Sequence, residues 1–154
     1  MRERIREVLE AHSTLTLATT SNGRPWAATV FYASDPELCI YFVSDQRTRH
    51  ARDLAQEPQC VAAIHADVST WDEVLGLQVE GWAEPLTAGE REDAQRLYLD
   101  KFADVQRLFE APRDDSERLI GHRLRGANFY RLTPRWIRIV DNNEGFGWKW
   151  ELEL

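Results

Sequence analysis

Between Thr14 and Val140 the chain is built from short apolar or period-two runs separated by turn signals, and helical periodicity interrupts the series only after Thr48 and after Thr87. Leu15 and Leu17 alternate with threonines, and Ser21, Asn22, Gly23, Arg24 and Pro25 form a hairpin turn into a strand from Trp26 to Ala33. After Asp35-Pro36, Leu38 to Val43 is apolar throughout, as a strand covered on both faces would be. Further strands are predicted from Gln59 to His65 and where Leu75, Leu77, Val79 and Ala83 alternate with Gln78, Glu80, Trp82 and Glu84. Two more, Phe129 to Leu132 and Arg135 to Val140, flank Thr133-Pro134. Seven strands in hairpin order predict a mainly β fold, a closed or nearly closed meander or Greek-key antiparallel barrel with peripheral helices, because closure removes exposed sheet edges. A doubly wound parallel sheet would need a helix after each strand.

The helices are short. Ile5, Val8, Leu9 and His12 share one face of an N-terminal helix, and a second helix is predicted from Thr48 to Gln56. Thr87 and Glu90 have capping-box spacing ahead of Ala94, Leu97, Tyr98, Phe102, Val105 and Phe109, a helix broken near Asp104 and ended by Pro112. Arg113 to Gly126 is charged, with few apolar residues, and reads as a surface excursion. At 154 residues one domain spanning 1–154 is expected. The net charge of −7 argues against a nucleic-acid surface and fits a small anionic ligand met by one local basic patch. Cys39 and Cys60 fall in apolar segments and read as reduced core thiols, not as a disulfide or metal pair. No segment reaches the roughly 18 apolar residues of a membrane span and MRERIREVLEAH has no apolar leader core, so a cytoplasmic location is expected.

That basic patch lies in the run from Thr29 to Leu54. Phe31, Tyr32, Tyr41 and Phe42 sit in two adjacent strands where a planar ring would rest, and Arg47, Thr48, Arg49 and His50 follow at a strand-to-helix turn. Arginine offers a bidentate charged fork, threonine a hydroxyl donor, and the helix start backbone N–H groups, which together suit a phosphate. The plainer reading is a solvated basic turn. No G-x-G-x-x-G or Walker-type lysine motif is present, so side chains and turns would have to hold any nucleotide. His65, ending an apolar strand, reads first as a hydrogen-bonded core histidine, His12 and His122 as exposed, and Asp114-Asp115 as solvated acids. No histidine and cysteine spacing suggests metal and no nucleophile with its base is identifiable, so no catalytic residue is assigned. Of Trp26, Trp71, Trp82, Trp136, Trp148 and Trp150, most suit core or interface; Trp148, beside glycines and Lys149, is the one placed to close over a bound ring.

The segments GRPWAATVFYASDPELCIYFVSDQRTRHARDL and QVEGWAEPL resemble the cofactor strands, phosphate turn and E-G barrel strand of the pyridoxamine 5′-phosphate oxidase-like, FMN-binding split-barrel family, over nearly the whole chain. The ending DNNEGFGWKW resembles a small bacterial subgroup without settled activity. The resemblance implies a split barrel and a homodimer with the cofactor at the subunit interface. By it, Arg49 and His50 match the Arg-Lys pair on the FMN phosphate, with histidine a pH-dependent cation, and Thr48 matches the serine before that pair. Val43 and Ser44 match a cofactor-touching Tyr-Thr pair, and Ala28, Thr29, Val30, Phe31 and Tyr32 match the strand whose backbone faces the flavin. Gln78, or Gly76 on strict alignment, stands near a glutamine supplied by the second subunit. Trp148 and Lys149 match a late Trp and basic residue, with the tail from 141 to 154 closing the site.

The departures bear on activity. Ala28 and Ala33 replace an arginine and a lysine of the oxidase, and no Arg-x-His pair follows, so the cations left suffice for one phosphate, the cofactor's, and B6-vitamer oxidation is not expected. The leading expectation is an FMN-dependent oxidoreductase acting on a small molecule, with Lys149 a candidate cation at the ring's carbonyl edge. The alternative is a non-catalytic module that binds, stores or senses flavin, haem or deazaflavin, with His50 or His65 the only plausible axial residues for haem.

Overall fold

Asn22 and Gly23, both left-handed at φ 52° and 70°, make the tight turn that fixes the first register. It pairs β1 (Thr14–Ser21) with β2 (Arg24–Ser34) from Ser21↔Arg24 to Thr14↔Phe31. In this computed structural model, which describes Met1–Leu154, β3 (Ile40–Ser44), β4 (Gln59–His65), β5 (Leu75–Pro85), β6 (Asn128–Asp141) and β7 (Lys149–Glu153) complete one sheet, ordered β3-β2-β1-β4-β5-β6-β7. All pairings are antiparallel, and β4 returns beside β1 as in a Greek key. The first half of β6 closes the ring on β3, Ile40↔Leu132 to Ser44↔Asn128, its second half pairs with β7 on that same edge, and β5 runs along its other edge from Pro85↔Tyr130 to Leu75↔Asp141. Six strands form the barrel and β7 hangs from its split side.

Alternation along the strands fills the barrel with Leu15, Leu17, Tyr32, Ile40, Phe42, Ile64, Leu77, Leu132, Ile137 and Ile139, all buried. Helix α1 (Arg2–Ala11) plugs one end with Ile5, Val8 and Leu9. Its last carbonyls are capped from elsewhere: the Tyr32 hydroxyl donates to Leu9 O (2.8 Å), and Lys101 Nζ donates to Leu9 O (3.1 Å) and His12 O (2.5 Å). Helix α2 (Arg49–Gln56) covers the other end through Ala51 and Leu54. Helices α3 (Ala88–Lys101) and α4 (Ala103–Glu110), parted at Phe102, lie over the outer face of β2, β3 and β6, where Tyr98 meets Phe129 and Tyr41 and Val43 are half-buried. The Thr87 N–H donates to Glu90 Oε2 (3.1 Å), as the capping-box spacing predicts.

Three sequence expectations need correction. Arg113 to Gly126 is largely helical: α5 (Asp115–Gly126) has almost no apolar face, and capping holds it instead. Asp114 Oδ1 accepts from Glu117 N (2.8 Å), the Arg107 guanidinium forks onto Glu117 (2.8 and 2.9 Å), and Gly121 packs against α4. Those bonds hold the Glu117 carboxyl down to about 2. Secondly, Thr133-Pro134 does not divide two strands. The register with β5 slips between Glu80 and Gly81, so Arg135 is the extra residue of a bulge, and a bulge tolerates the N–H that Pro134 lacks. Thirdly, the ending forms β7, with Trp150 and Leu152 packed on the core and Lys149, Glu151 and Glu153 turned out. Its lead-in loop is anchored: buried Asp141 pairs with Arg4 of α1 and accepts from Asn143, Arg4 also reaches Glu144 (2.9 Å), and Asn142 Nδ2 donates to Trp71 O (2.6 Å).

Candidate functional site

Ser44, the last residue of β3, points inward, and Thr48 caps α2, its Oγ1 accepting from Ala51 N (3.3 Å) while its hydroxyl donates to Asp45 O (2.8 Å). The first turn of α2 leaves the N–H groups of Arg49 and His50 without intrahelical acceptors. These residues meet where the sequence predicts, but their charges are not equally free. Arg47 folds back on Asp45, Nε to Oδ1 at 3.0 Å and a terminal nitrogen to Oδ2 at 2.7 Å, and its bonds hold the Asp45 carboxyl down to about 2. His50 is 9% exposed, with Nε2 2.6 Å from Ser44 Oγ and 3.3 Å from Thr48 Oγ1. Burial pushes its pKa below the usual value, opposed by the charge of Asp53, so the folded chain favours a neutral imidazole. His50 is therefore not a standing cation here.

A titration consequence follows for stability. The unfolded chain protonates His50 near its ordinary pKa of about 6.5, whereas the folded chain resists until lower pH, so acidification below about 6.5 favours unfolding through this residue. The melting temperature should fall more between pH 7.5 and 5.5 in the native chain than in His50→Asn. Equal falls in the two would show that burial does not hold His50 neutral.

Arg49 is the cation that remains. Its Nε lies 3.8 Å from Asp53 Oδ2, a long pair, and its guanidinium carbon stands 4.6 Å over the Trp26 ring. Asp53 is buried and accepts a hydrogen bond from Thr19 Oγ1 (2.9 Å). Neither Trp26, Asp53 nor Thr19 stood out as a functional residue in the sequence. The signals were there: Arg49 and Asp53 are four apart on one helix, and the Asn22-Gly23 hairpin pairs Thr19 with Trp26.

The aromatic wall expected from β2 and β3 is not there. Tyr32 and Phe42 are fully buried, the latter stacked on Tyr130 at 5.1 Å, and Tyr41 lies on the α3 side with its hydroxyl donating to Asp35 (2.8 Å). Period two decides this: Ala28, Val30 and Tyr32 point into the barrel, Thr29 and Phe31 outward. Of the four rings only Phe31, 57% exposed, offers a surface. Val43 faces α3, so beside a ligand it would contribute backbone only.

The other predicted residues lie apart from the α2 turn. Thr29, Thr16, Ala63, Gln78, Arg138 and Glu151 form one cross-strand row on the outer face of β2, β1, β4, β5, β6 and β7. Three strand spacings put Thr29 and Gln78 about 14 Å apart. Gln78 Oε1 accepts from Arg138 (3.2 Å), which also pairs with Glu151 (2.7 Å) and stands 4.9 Å over Trp136. No helix covers the middle of this face, a shallow trough of about 340 Å³ floored by Thr16, Ala18 and Ala63. Trp148 packs half-buried against its own core, its backbone N–H donating to Gly145 O (2.9 Å), and Lys149 begins β7, exposed on the outer face opposite Val140. In one chain, then, the α2 turn, Gln78 and the Trp148-Lys149 pair are three separate places. His65 is not the core histidine the sequence suggests: the alternation of β4 turns it, with Val61 and Ala63, to that outer face, where it is exposed and its Nδ1 donates to Ala66 O (2.9 Å).

The six-stranded split barrel matches known proteins. The family described as pyridoxamine 5′-phosphate oxidase matches residues 1–141. The chain belongs to that family. It is 26% identical over 125 residues to a UPF0306 protein of Klebsiella pneumoniae subsp. pneumoniae, covering 80% of this chain and 74% of the relative. Among solved structures it resembles a heme binding protein from Mycobacterium smegmatis, with TM-score 0.74 and 22% identity. That alignment covers 99% of this chain but only 57% of the larger protein. It also resembles a putative pyridoxamine 5′-phosphate oxidase from Listeria innocua, with TM-score 0.67, 17% identity and 91% and 98% of the two chains covered. At such identities these neighbours establish the shared fold.

Proposed function

We propose that the chain binds FMN in a cleft shared by two copies and acts as an oxidoreductase on a small molecule. The observation that carries this reading is Arg49: a half-exposed guanidinium whose one carboxylate partner, Asp53, stands at a long 3.8 Å, beside two free N–H groups at the start of α2, which is the donor set a single phosphate needs. Two copies enter because Gln78, Lys149 and Arg49 are too dispersed to meet one ring within one chain, and because an open face carrying Phe31, Val61 and Trp82 is what a second copy would cover. When bound, FMN supplies the hydride or electron transfer. The chain's residues would hold the phosphate through Arg49 and the α2 amides, set the ring against the backbone of Ala28 to Tyr32, and shield it from water. The one cation left free in the Arg47–His50 turn and the alanines at 28 and 33 favour a substrate without a phosphate of its own. No helix is long and apolar enough to cross a membrane.

The test is an absorption spectrum of the purified protein, then titration with FMN and with riboflavin while flavin fluorescence is followed. Saturation near one FMN per chain, with riboflavin clearly weaker, supports the reading. No FMN binding refutes it.

A second reading rests on His65. Its Nδ1 must donate, since a carbonyl oxygen only accepts, and this leaves Nε2 as a free lone pair at the edge of the open face, the orientation common in metal-ligating histidines. His50 is less suited to iron because its Nε2 is engaged by Ser44 and Thr48. Under this reading the chain binds haem without turnover, and haem titration gives a Soret band that shifts in His65→Ala. An unchanged band in that variant would exclude His65 as the axial residue.

A further inference from the structure

We propose that Trp26 is a positioning residue for phosphate recognition, holding the Arg49 guanidinium on its indole face so that the in-plane N–H groups stay free for the ligand. The inference rests on the FMN reading above and assigns a part to a residue that the family resemblance leaves unassigned.

Thr19 and Trp26 are direct cross-strand partners, so their side chains lie on the same face of the first hairpin, the face that α2 packs across. Thr19 fixes the Asp53 carboxylate at 2.9 Å, and Asp53 sits one helical turn below Arg49. The guanidinium is thus bracketed, a carboxylate 3.8 Å from Nε on one side and an indole ring 4.6 Å beneath. Stacking occupies the π face of a guanidinium and leaves its edge, where all five donors lie, available for a bidentate bond to phosphate. An unstacked arginine at a helix start would sample many rotamers and lose that freedom on binding. Trp26 is 42% exposed, so core packing does not explain its place. With Arg47 held by Asp45 and His50 neutral, the aim of this one guanidinium decides how well a phosphate is bound.

The experiment compares FMN with riboflavin, which differ by the phosphate alone, in the native chain, Trp26→Leu, Trp26→Phe, Arg49→Ala and Trp26→Leu/Arg49→Ala. Circular dichroism first confirms that each variant is folded. Trp26→Leu should weaken FMN about tenfold and leave riboflavin within twofold, Trp26→Phe should recover most of the loss, and Trp26→Leu should add nothing in the Arg49→Ala background. Equal losses for both ligands would make Trp26 a ring contact or a structural residue and overturn the proposal. So would additive losses in the double variant, or no loss in Trp26→Leu. Failure of the native chain to bind FMN would overturn the underlying reading, and that result appears before any variant is measured.

Discussion

Gly81→Ala is expected to lower the melting temperature by about 6 to 12 °C, from a destabilisation of about 3 kcal/mol in a chain this size. A Cβ at Gly81 would overlap the Thr133 carbonyl oxygen and stand 2.9 Å from Pro134 Cα. Both are backbone atoms of the neighbouring strand, so no rotamer change relieves the clash, and relief requires opening the β5–β6 ladder at its bulge. Gly89→Ala is the matched control. A Cβ there meets nothing within 4 Å, and in the first turn of α3 alanine should be neutral or stabilising by up to about 1 kcal/mol. Thermal unfolding followed by circular dichroism separates the two, and similar melting temperatures would mean that the bulge yields freely.

Arg49→Ala should weaken FMN binding about 5- to 150-fold, the range of 1 to 3 kcal/mol for a lost charge-assisted bond whose phosphate partner stays behind. Arg47→Ala should change the affinity less than twofold. The two arginines stand two residues apart, and a contact-free view would treat them alike. The difference is that Arg47 already spends its guanidinium on Asp45, whereas Arg49 meets its carboxylate only at 3.8 Å. Fluorescence titration of the two variants decides the matter: equal losses would mean that Arg47 leaves Asp45 for the ligand, and no loss in Arg49→Ala would remove the phosphate assignment.

The parts of the fold that read clearly in the sequence are those where one local rule acts alone. Alternation gave β1, β4 and β5, Asn22-Gly23 gave the first turn, and Thr48 and Thr87 marked helix starts. What escaped depends on two influences at once. Pro134 breaks a strand unless a bulge opposes it, and the bulge lies in the partner strand's register, which only pairing reveals. Helix α5 owes its form to Arg107, ten residues from its partner Glu117. At the site, the residue types of the α2 turn were legible while their availability was not. His50 looks like a cation until its burial against Ser44 is seen, and Tyr32 and Phe42 look like a wall until the pleat turns both into the core.

The closure of the ring by β3 and β6 has a consequence for how the chain comes to be folded. Ile40 finds Leu132 only after more than half of the sequence has been made, and loop-closure entropy grows with that separation. While the polypeptide emerges from the ribosome, β1 to β5 are available long before β6, and during that interval β3 and β5 both present unpaired backbone. The helices α3, α4 and α5 are synthesised in the same interval, ahead of the strand that seals the barrel. Of these, α3 packs against β2 and β3 and covers the apolar outer face beside that open edge until the last hairpin arrives.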